Sequence, residues 1–190
     1  MNELRCIIGG QEINYPYPIE DFLTLEGHAI ISKQLTARGL RQSALNMHPD
    51  IIIINTSLEG ENIIELCKGI HDQKIAPIVI VGTQIEISKF SPYLKDIVFG
   101  FLVAPVTRDN LIAVLEVAYS KFQYIMDLEK KIKAYEEQVN NRILIEKAKG
   151  LLMKNKNLCE DEAYKMLRKI SMDQCISMQR VAKAIIKKLG

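Results

Sequence analysis

The sequence predicts an α/β fold, a doubly wound five-stranded parallel sheet, followed by a long helix and a small all-α module of three helices. Short runs of β-branched residues alternate with helix-like stretches over residues 1–120, as in sheets whose strands are joined by helical crossovers. No proline lies between Asp109 and Asn155, and no glycine before Gly150, so one helix can span this stretch. Residues 142–190 then contain three amphipathic segments with short connections.

The elements of the sheet domain are predicted from their hydrophobic patterns. Strands are expected at residues 4–8, 28–32, 51–55, 77–82 and 98–103. Helices are expected at residues 18–25, 34–47 and 61–71, with a short one at 90–93 and a long one from 107 onward. The run of four isoleucines at residues 51–54 is typical of a central parallel strand that is buried on both faces.

The long helix carries apolar residues at coiled-coil spacing. They are Leu111, Leu115, Ala118, Phe122 and Ile125, followed after a step of three by Leu128, Ile132, Tyr135 and Val139, with Arg142 in the next position. About four heptads favour a parallel homodimer. The alternative is that the first half packs against its own sheet and only the second half pairs.

The C-terminal module is predicted to begin within this helix, where Gly150 is unfavourable by about 1 kcal/mol relative to alanine. We expect compensation from a close approach, either by another helix or by a ligand. Asn155 or Asn157 is expected to end the helix in the left-handed conformation. A second helix opens with acidic residues at 160–162, and Ser177 is a suitable N-cap for a third.

Composition excludes several classes of protein. The apolar runs are strand-sized and far shorter than the ~20 residues of a membrane helix. The N-terminus does not resemble a signal peptide. The four cysteines have no Cys-x-x-Cys spacing, so neither a zinc site nor a disulfide framework is predicted, and a reducing cytoplasm is the expected location.

Charge divides the chain. Residues 1–140 carry 13 Lys/Arg and 18 Asp/Glu, a net charge of −5, whereas residues 141–190 carry 12 and 5, a net charge of +7. A compact basic module suits a polyanionic partner, although a solvated lysine-rich helix surface gives the same count.

The sheet domain resembles the receiver domain of bacterial response regulators, which has a flavodoxin-like fold. Residues 49–55 followed by Gly60 are similar to its third strand and the loop after it, and residues 100–106 to its fifth strand and proline turn. Asn55 stands where the family has its phosphoacceptor aspartate, and Ala104 where it has a lysine. Gly9, Gly10 and Gln11 replace the acidic pair that would hold magnesium, and the hydroxyl position falls on Gly82 or Thr83.

These replacements remove the chemistry of aspartate phosphorylation. That reaction needs a carboxylate nucleophile, a divalent cation held by further carboxylates and a cation beside the phosphoryl group. An amide at position 55 is not a comparable nucleophile. We therefore expect a pseudo-receiver, acting either as a dimerisation and docking platform or as a sensor of a regulatory protein or small ligand.

The C-terminal module resembles the ANTAR family of RNA-binding transcription antiterminators. Ile-Glu-Lys-Ala-Lys-Gly-Leu-Leu-Met at residues 145–153 is similar to the family's opening signature, Glu-Asp-Glu-Ala-Tyr at 160–164 and Leu167-Arg168 to its second helix, and Val181-Ala182 to its third. Cys159 replaces a serine cap, and Cys175-Ile176 a polar, basic pair. The expected organisation is a receiver-like domain at 1–120, a coiled-coil linker at 121–141 and an ANTAR module at 142–190.

The resemblance implies a dimer that binds two adjacent hairpins in a nascent mRNA leader and so prevents terminator formation. Lysines and arginines would pair with phosphates, and loop bases would be read near the signature. The candidate RNA-binding residues are Arg142, Lys147, Ala148, Lys149, Gly150, Lys154, Arg168, Arg180 and Lys183. No metal, cofactor or membrane partner is implied.

Other functions remain as alternatives. A DNA-binding response regulator of the helix-turn-helix type would also place a basic helical bundle after a receiver, but no recognition helix after a tight glycine turn is evident. A scaffold whose last helices bind protein is a second alternative. An enzyme is not predicted, because His28, His48 and His71 lack metal or triad spacing.

Overall fold

The computed structural model describes residues 3–11, 18–60 and 62–190 of the 190-residue chain. They form two compact units, a sheet unit at residues 1–126 and a helical unit at residues 127–190. Within the described ranges, no helix is both long enough and apolar enough to span a membrane.

The sheet unit contains five parallel strands in the order β2-β1-β3-β4-β5 among the residues described. The strands are β1 Arg5–Gly9, β2 Ala29–Gln34, β3 Ile51–Asn55, β4 Ile78–Gly82 and β5 Gly100–Val103. The helices that follow them in turn are α1 Ile19–Leu25, α2 Ala37–Met47, α3 Ile63–Asp72, α4 Gln84–Leu94 and the start of α5 Arg108–Lys156. This arrangement confirms the predicted doubly wound sheet.

A hydrophobic core lies on each face of the sheet. Ile52 and Ile54 of β3 pack with α2, α3 and α4 on one face, whereas Ile51 and Ile53 pack with α1 and the first part of α5 on the other. All five residues of β3 are buried, which explains why its sequence shows no alternation of polar and apolar residues.

Several predicted boundaries were wrong. Strand β2 continues to Gln34, and α2 begins after Thr36, whose side chain accepts a hydrogen bond from the Gly39 amide. Helix α4 begins at Gln84 rather than at Phe90, because Thr83 and Glu86 form a capping box at its N-terminus. Strand β5 is two residues shorter than predicted. Residues 12–17 and the predicted helix start at Glu61 lie outside the described residues.

The first part of α5 belongs to the sheet unit. Leu111, Leu115 and Ala118 are fully buried in its core, and the Phe122 ring packs edge-to-face on Phe99 with centroids 5.4 Å apart. These side chains are therefore unavailable for pairing between copies. The arrangement in which all four heptads pair with a second copy is therefore excluded, because the first part of the helix is covered by its own sheet.

The helical unit is built on the C-terminal part of α5 together with α6 Glu160–Asp173 and α7 Met178–Leu189. Ala148, Leu152, Ala163, Leu167, Val181 and Ala182 form its buried core. Asn157 adopts a left-handed conformation with φ 55° between α5 and α6, as predicted for one of the two asparagines. Helix α6 runs to Asp173, and a short connection leads to α7. The Ser177 side chain caps α7 by accepting a hydrogen bond from the Arg180 amide.

Candidate nucleic-acid interface

The surface of α5 that faces away from the helical core carries Lys147, Gly150 and Lys154. Steps of three and four residues place these positions on one side of the helix. All three are exposed, whereas Ala148 and Leu152 on the opposite side are buried. We call Lys147, Gly150 and Lys154 the outer face of α5. It combines two cations with a point where the backbone lacks a side chain.

Gly150 is not required by packing within the chain. A Cβ atom placed at Gly150 would meet no heavy atom within 4 Å, leaving aside the chain neighbours and the local helix backbone. Neither α6 nor α7 therefore needs a glycine at this position. The cost of glycine in a helix interior, about 1 kcal/mol, points to a close approach by a molecule from outside the chain.

Two signature residues are not exposed. Ala148 is completely buried, and Lys149 is only 8% exposed. The Lys149 Nζ lies 2.7 Å from a carboxylate oxygen of Glu146 and 2.7 Å from one of Glu160. The prediction that Ala148 and Lys149 contact RNA therefore stays a prediction about side chains that are covered in this structure.

The two carboxylates change the titration of Lys149. Hydrogen bonds to Glu146 and then to Glu160 raise the pKa of Lys149 above its ordinary value, and the same contact lowers the pKa of Glu160. Lys149 therefore stays charged at neutral pH, with its charge already neutralised locally by acidic partners.

The other predicted contacts are distributed over three helices. Arg142 is exposed on α5, Arg168 on α6, and Arg180 and Lys183 on α7. Sequence reasoning missed an aromatic neighbour of this set. Tyr164 is 45% exposed and lies one turn before Arg168 on α6, where an aromatic ring can stack on an unpaired base. The tyrosine-to-arginine spacing of four was the available signal.

Hydrogen bonds hold Asn55, the residue predicted to stand at a degenerate phosphorylation site. The Asn55 side chain is 8% exposed; its Nδ2 donates to the Gln11 carbonyl at 2.5 Å, and its Oδ1 accepts from the Ser57 amide at 3.0 Å. The Gln11 amide in turn donates to the Ser57 hydroxyl at 3.0 Å. These bonds join the loops after β1 and β3.

The glycines around this site also leave no room for the side chains that they replace. Gly10 has φ +98°, and a Cβ there would lie 2.8 Å from the Asn55 Cβ. A Cβ at Gly82 would lie 2.5 Å from the Thr56 hydroxyl, and Thr83 is occupied as the N-cap of α4. Ala104 follows β5, and its amide donates to the Gly82 carbonyl. No group of histidine, cysteine or carboxylate residues suited to a metal ion occurs among the residues described.

Residues 133–186 match the family model of the ANTAR domain. The chain carries an ANTAR domain. This match includes the last part of α5 together with α6 and most of α7, and so contains the whole outer face. The matched residues also include part of the exposed middle of α5, upstream of the outer face.

A curated relative with similarity along nearly the whole chain is the transcriptional regulatory protein PdtaR of Mycobacterium tuberculosis. The two are 28% identical over 186 residues, which cover 98% of this chain and 91% of the relative. By its name, this relative is a regulator of transcription.

Solved structures match the sheet unit in fold. The signal receiver domain of a modulated diguanylate cyclase from Desulfovibrio desulfuricans has a TM-score of 0.56 at 18% identity, covering 65% of this chain and 98% of that one. The chemotaxis response regulator CheY4 of Vibrio cholerae has a TM-score of 0.52 at 18% identity, covering 60% of this chain and 98% of that one. The unit that precedes the ANTAR domain therefore has the receiver fold.

Proposed function

We propose that this chain is an RNA-binding transcription antitermination regulator, which binds paired hairpins in nascent mRNA leaders as a dimer and is controlled independently of aspartate phosphorylation. The observation that carries the proposal is the outer face of α5 within the ANTAR domain. There, an unobstructed glycine lies between two exposed lysines. A negatively charged partner that approaches the helix backbone closely fits this surface better than an apolar one.

The RNA contacts follow from the chemistry of the outer face. Lys147 and Lys154 would pair with phosphates and release counterions, which makes the affinity fall as salt rises. The open backbone at Gly150 would allow a ribose or phosphate to reach van der Waals contact with the helix. Arg168 and Tyr164 on α6 would supply a further cation and a stacking surface for an exposed loop base. Arg142, Arg180 and Lys183 remain as candidate phosphate contacts.

Dimerisation is proposed through the middle part of α5. We define the exposed apolar stripe as Leu128, Ile132, Tyr135, Val139 and Ile143, of which Ile132, Val139 and Ile143 are 56%, 58% and 58% exposed. Steps of three and four residues make this stripe complementary to a second copy of itself. The next positions on that side of the helix are Lys147, Gly150 and Lys154. Because like charges oppose further pairing, the proposed dimer contact ends near Ile143 and leaves the outer face for RNA.

The proposed control does not use phosphorylation. Asn55 lacks a carboxylate, Ala104 lacks a cation, and Gly10 stands where an acidic side chain would meet Asn55. A regulatory protein or small ligand acting on the sheet unit, or the concentration of the chain itself, is the proposed source of control.

The proposal is tested with RNA and DNA of the same sequence. Labelled leader RNA from the genes beside the one that encodes this chain, folded into its hairpins, is titrated with the full-length protein, in parallel with the corresponding duplex DNA. We expect preference for the hairpin RNA, and weaker binding by Lys147→Met. Lys187→Met, a variant at the C-terminal end of α7, serves as the matched control and should bind as the wild type does. Preference for the duplex would instead support a DNA-binding regulator.

A further inference from the structure

Lys149 is the signature lysine whose charge is already neutralised in the free protein. Its side chain is almost covered, and its ammonium contacts Glu146 one turn earlier on α5 and Glu160 at the first position of α6, each at 2.7 Å. The Lys149 side chain is 10% exposed, whereas the Glu146 and Glu160 side chains are 55% and 70% exposed. The lysine is therefore covered while the carboxylates that it contacts face solvent.

The contact with Glu160 crosses the connection between two helices. Helix α5 ends at Lys156, Asn157 adopts the left-handed conformation, and α6 starts at Glu160. The Glu162 carboxylate accepts a hydrogen bond from the Cys159 amide and so caps the same helix end. Lys149 therefore joins α5 to the capped first turn of α6 across this corner.

The surroundings of Lys149 are unfavourable for a phosphate. Glu160, Asp161 and Glu162 all lie in the first turn of α6, and Glu146 of α5 also contacts the ammonium. A phosphate that approached Lys149 would have to displace two carboxylates and remain close to further acidic residues. Among the described residues, no carboxylate forms an ion pair with Lys147 or Lys154 on the outer face of α5.

We propose that Lys149 is a positioning residue for RNA binding rather than a phosphate contact. By tying α5 to the start of α6, it holds Tyr164 and Arg168 of α6 in place relative to Lys147 and Lys154 of α5. The side chains from α5 and those from α6 can then contact the same RNA hairpin. This role rests on the proposed function, since it requires that the helical unit binds RNA.

The test measures RNA affinity of the full-length protein as a function of salt concentration, with the leader RNA described above. Lys149→Met keeps most of the buried aliphatic stem and removes the charge, and Lys147→Met is its exposed counterpart. Glu160→Gln breaks the contact from the other side without creating a cavity. Asp161→Asn is its control, because it removes a charge from the same helical turn without touching Lys149. Circular dichroism establishes the temperature range in which each variant is folded.

For a positioning residue, Lys149→Met weakens binding about threefold to thirtyfold and leaves the slope of log affinity against log salt unchanged. Lys147→Met makes this negative slope shallower by about 0.7 to 0.9, because one phosphate contact is lost. Glu160→Gln also weakens binding, although it removes a negative charge, and combining it with Lys149→Met adds little. Asp161→Asn does not weaken binding.

Three results overturn the role of Lys149. A weaker dependence of affinity on salt for Lys149→Met, or tighter binding by Glu160→Gln, would identify Lys149 as a direct phosphate contact. Unchanged affinity with a reduced melting temperature would make it a structural residue only. Failure of the wild-type protein to bind any hairpin RNA would be a different result, since it rejects the proposed function and this role with it.

Discussion

At the residue scale, Asn55 shows how a single atom changes the character of a site. An aspartate has the same shape, but its carboxylate cannot donate the hydrogen bond that Asn55 Nδ2 gives to the Gln11 carbonyl. The amide is therefore a structural element that joins two loops, and restoring the acid should not restore a receiver.

Asn55→Asp should accordingly destabilise the sheet unit by about 1 to 3 kcal/mol at pH 7, because the Gln11 carbonyl loses its donor and faces the charge of a largely buried carboxylate. The new carboxyl should have a raised pKa in the folded state. Its contribution is then most favourable below its unfolded pKa of about 3.9 and worsens as pH rises through the folded pKa, so the loss of stability should shrink on acidification.

Urea unfolding at pH 7 and at pH 5 measures this difference. The matched variant is Asn62→Asp, since Asn62 is the exposed N-cap of α3 and aspartate is equally suited to that position. A fully stable Asn55→Asp variant that accepts a phosphoryl group from acetyl phosphate and magnesium would contradict the interpretation of a closed site.

His28 supplies a pH dependence of another kind. It is 5% exposed, and its Nδ1 accepts a hydrogen bond from the Leu4 amide at 3.3 Å. Burial lowers the pKa of His28, with Glu26 opposing this effect. A protonated ring could not accept the bond from Leu4, so protonation disfavours the folded state.

The stability that neutral His28 contributes should be present above its unfolded pKa of about 6.5 and should decline as pH falls through the lower folded value. The measurement is the unfolding free energy of wild type and His28→Asn between pH 5 and 8, together with an NMR titration of the ring. A difference between the two proteins that does not vary with pH, or a ring that titrates above its ordinary range, would contradict this account.

At the scale of elements, α5 has three environments along its length. Leu111 and Leu115 are core residues of the sheet unit, Ile132 and Val139 are exposed, and Ala148 and Leu152 are core residues of the helical unit. The apolar residues at both ends of α5 therefore pack within the chain. Those in the middle, although similarly spaced, remain available for another molecule.

Gly150→Ala separates the effect of position 150 on helix stability from its effect on RNA affinity. Because a Cβ at this position meets open space, alanine should stabilise the helical unit by about 1 kcal/mol. We expect the same methyl group to weaken hairpin RNA binding by about tenfold or more, through collision with the approaching backbone, an effect of about 1.4 kcal/mol. Thermal unfolding and RNA titration report the two effects separately. Unchanged RNA affinity in the more stable variant would show that RNA does not approach at Gly150.

At the scale of the whole molecule, the proposed dimer forms through the middle of α5. Val139→Asp places a charge in the exposed apolar stripe and should shift the protein from dimer to monomer, with a loss of RNA affinity through lost bivalency. Sedimentation at several concentrations measures the change. Ala134→Asp is the matched control, because Ala134 lies on the other side of the same exposed stretch and should leave the dimer intact. A dimer that withstands Val139→Asp would place the contact elsewhere.

Much of this organisation was predictable because it depends on local pattern. The isoleucine run of β3, the uninterrupted helix to Lys156, the left-handed Asn157 and the Ser177 cap all follow from residue type and spacing. The start of α4 was missed because the Thr83–Glu86 capping box was not recognised before a helix with weak periodicity. The boundaries predicted at residues 120 and 141 stay predictions.

The sequence by itself determined the fold class, the amide at position 55 and the basic character of the last fifty residues, because strand and helix periods, side-chain identity and net charge are properties of the chain. Only the tertiary structure decided which signature residues are accessible. Lys147 and Lys149 differ by two positions and share a charge, yet one is exposed and the other is bound to two glutamates. The physical reason is that Glu160 belongs to the next helix, so its contact with Lys149 cannot be encoded by helical spacing within α5.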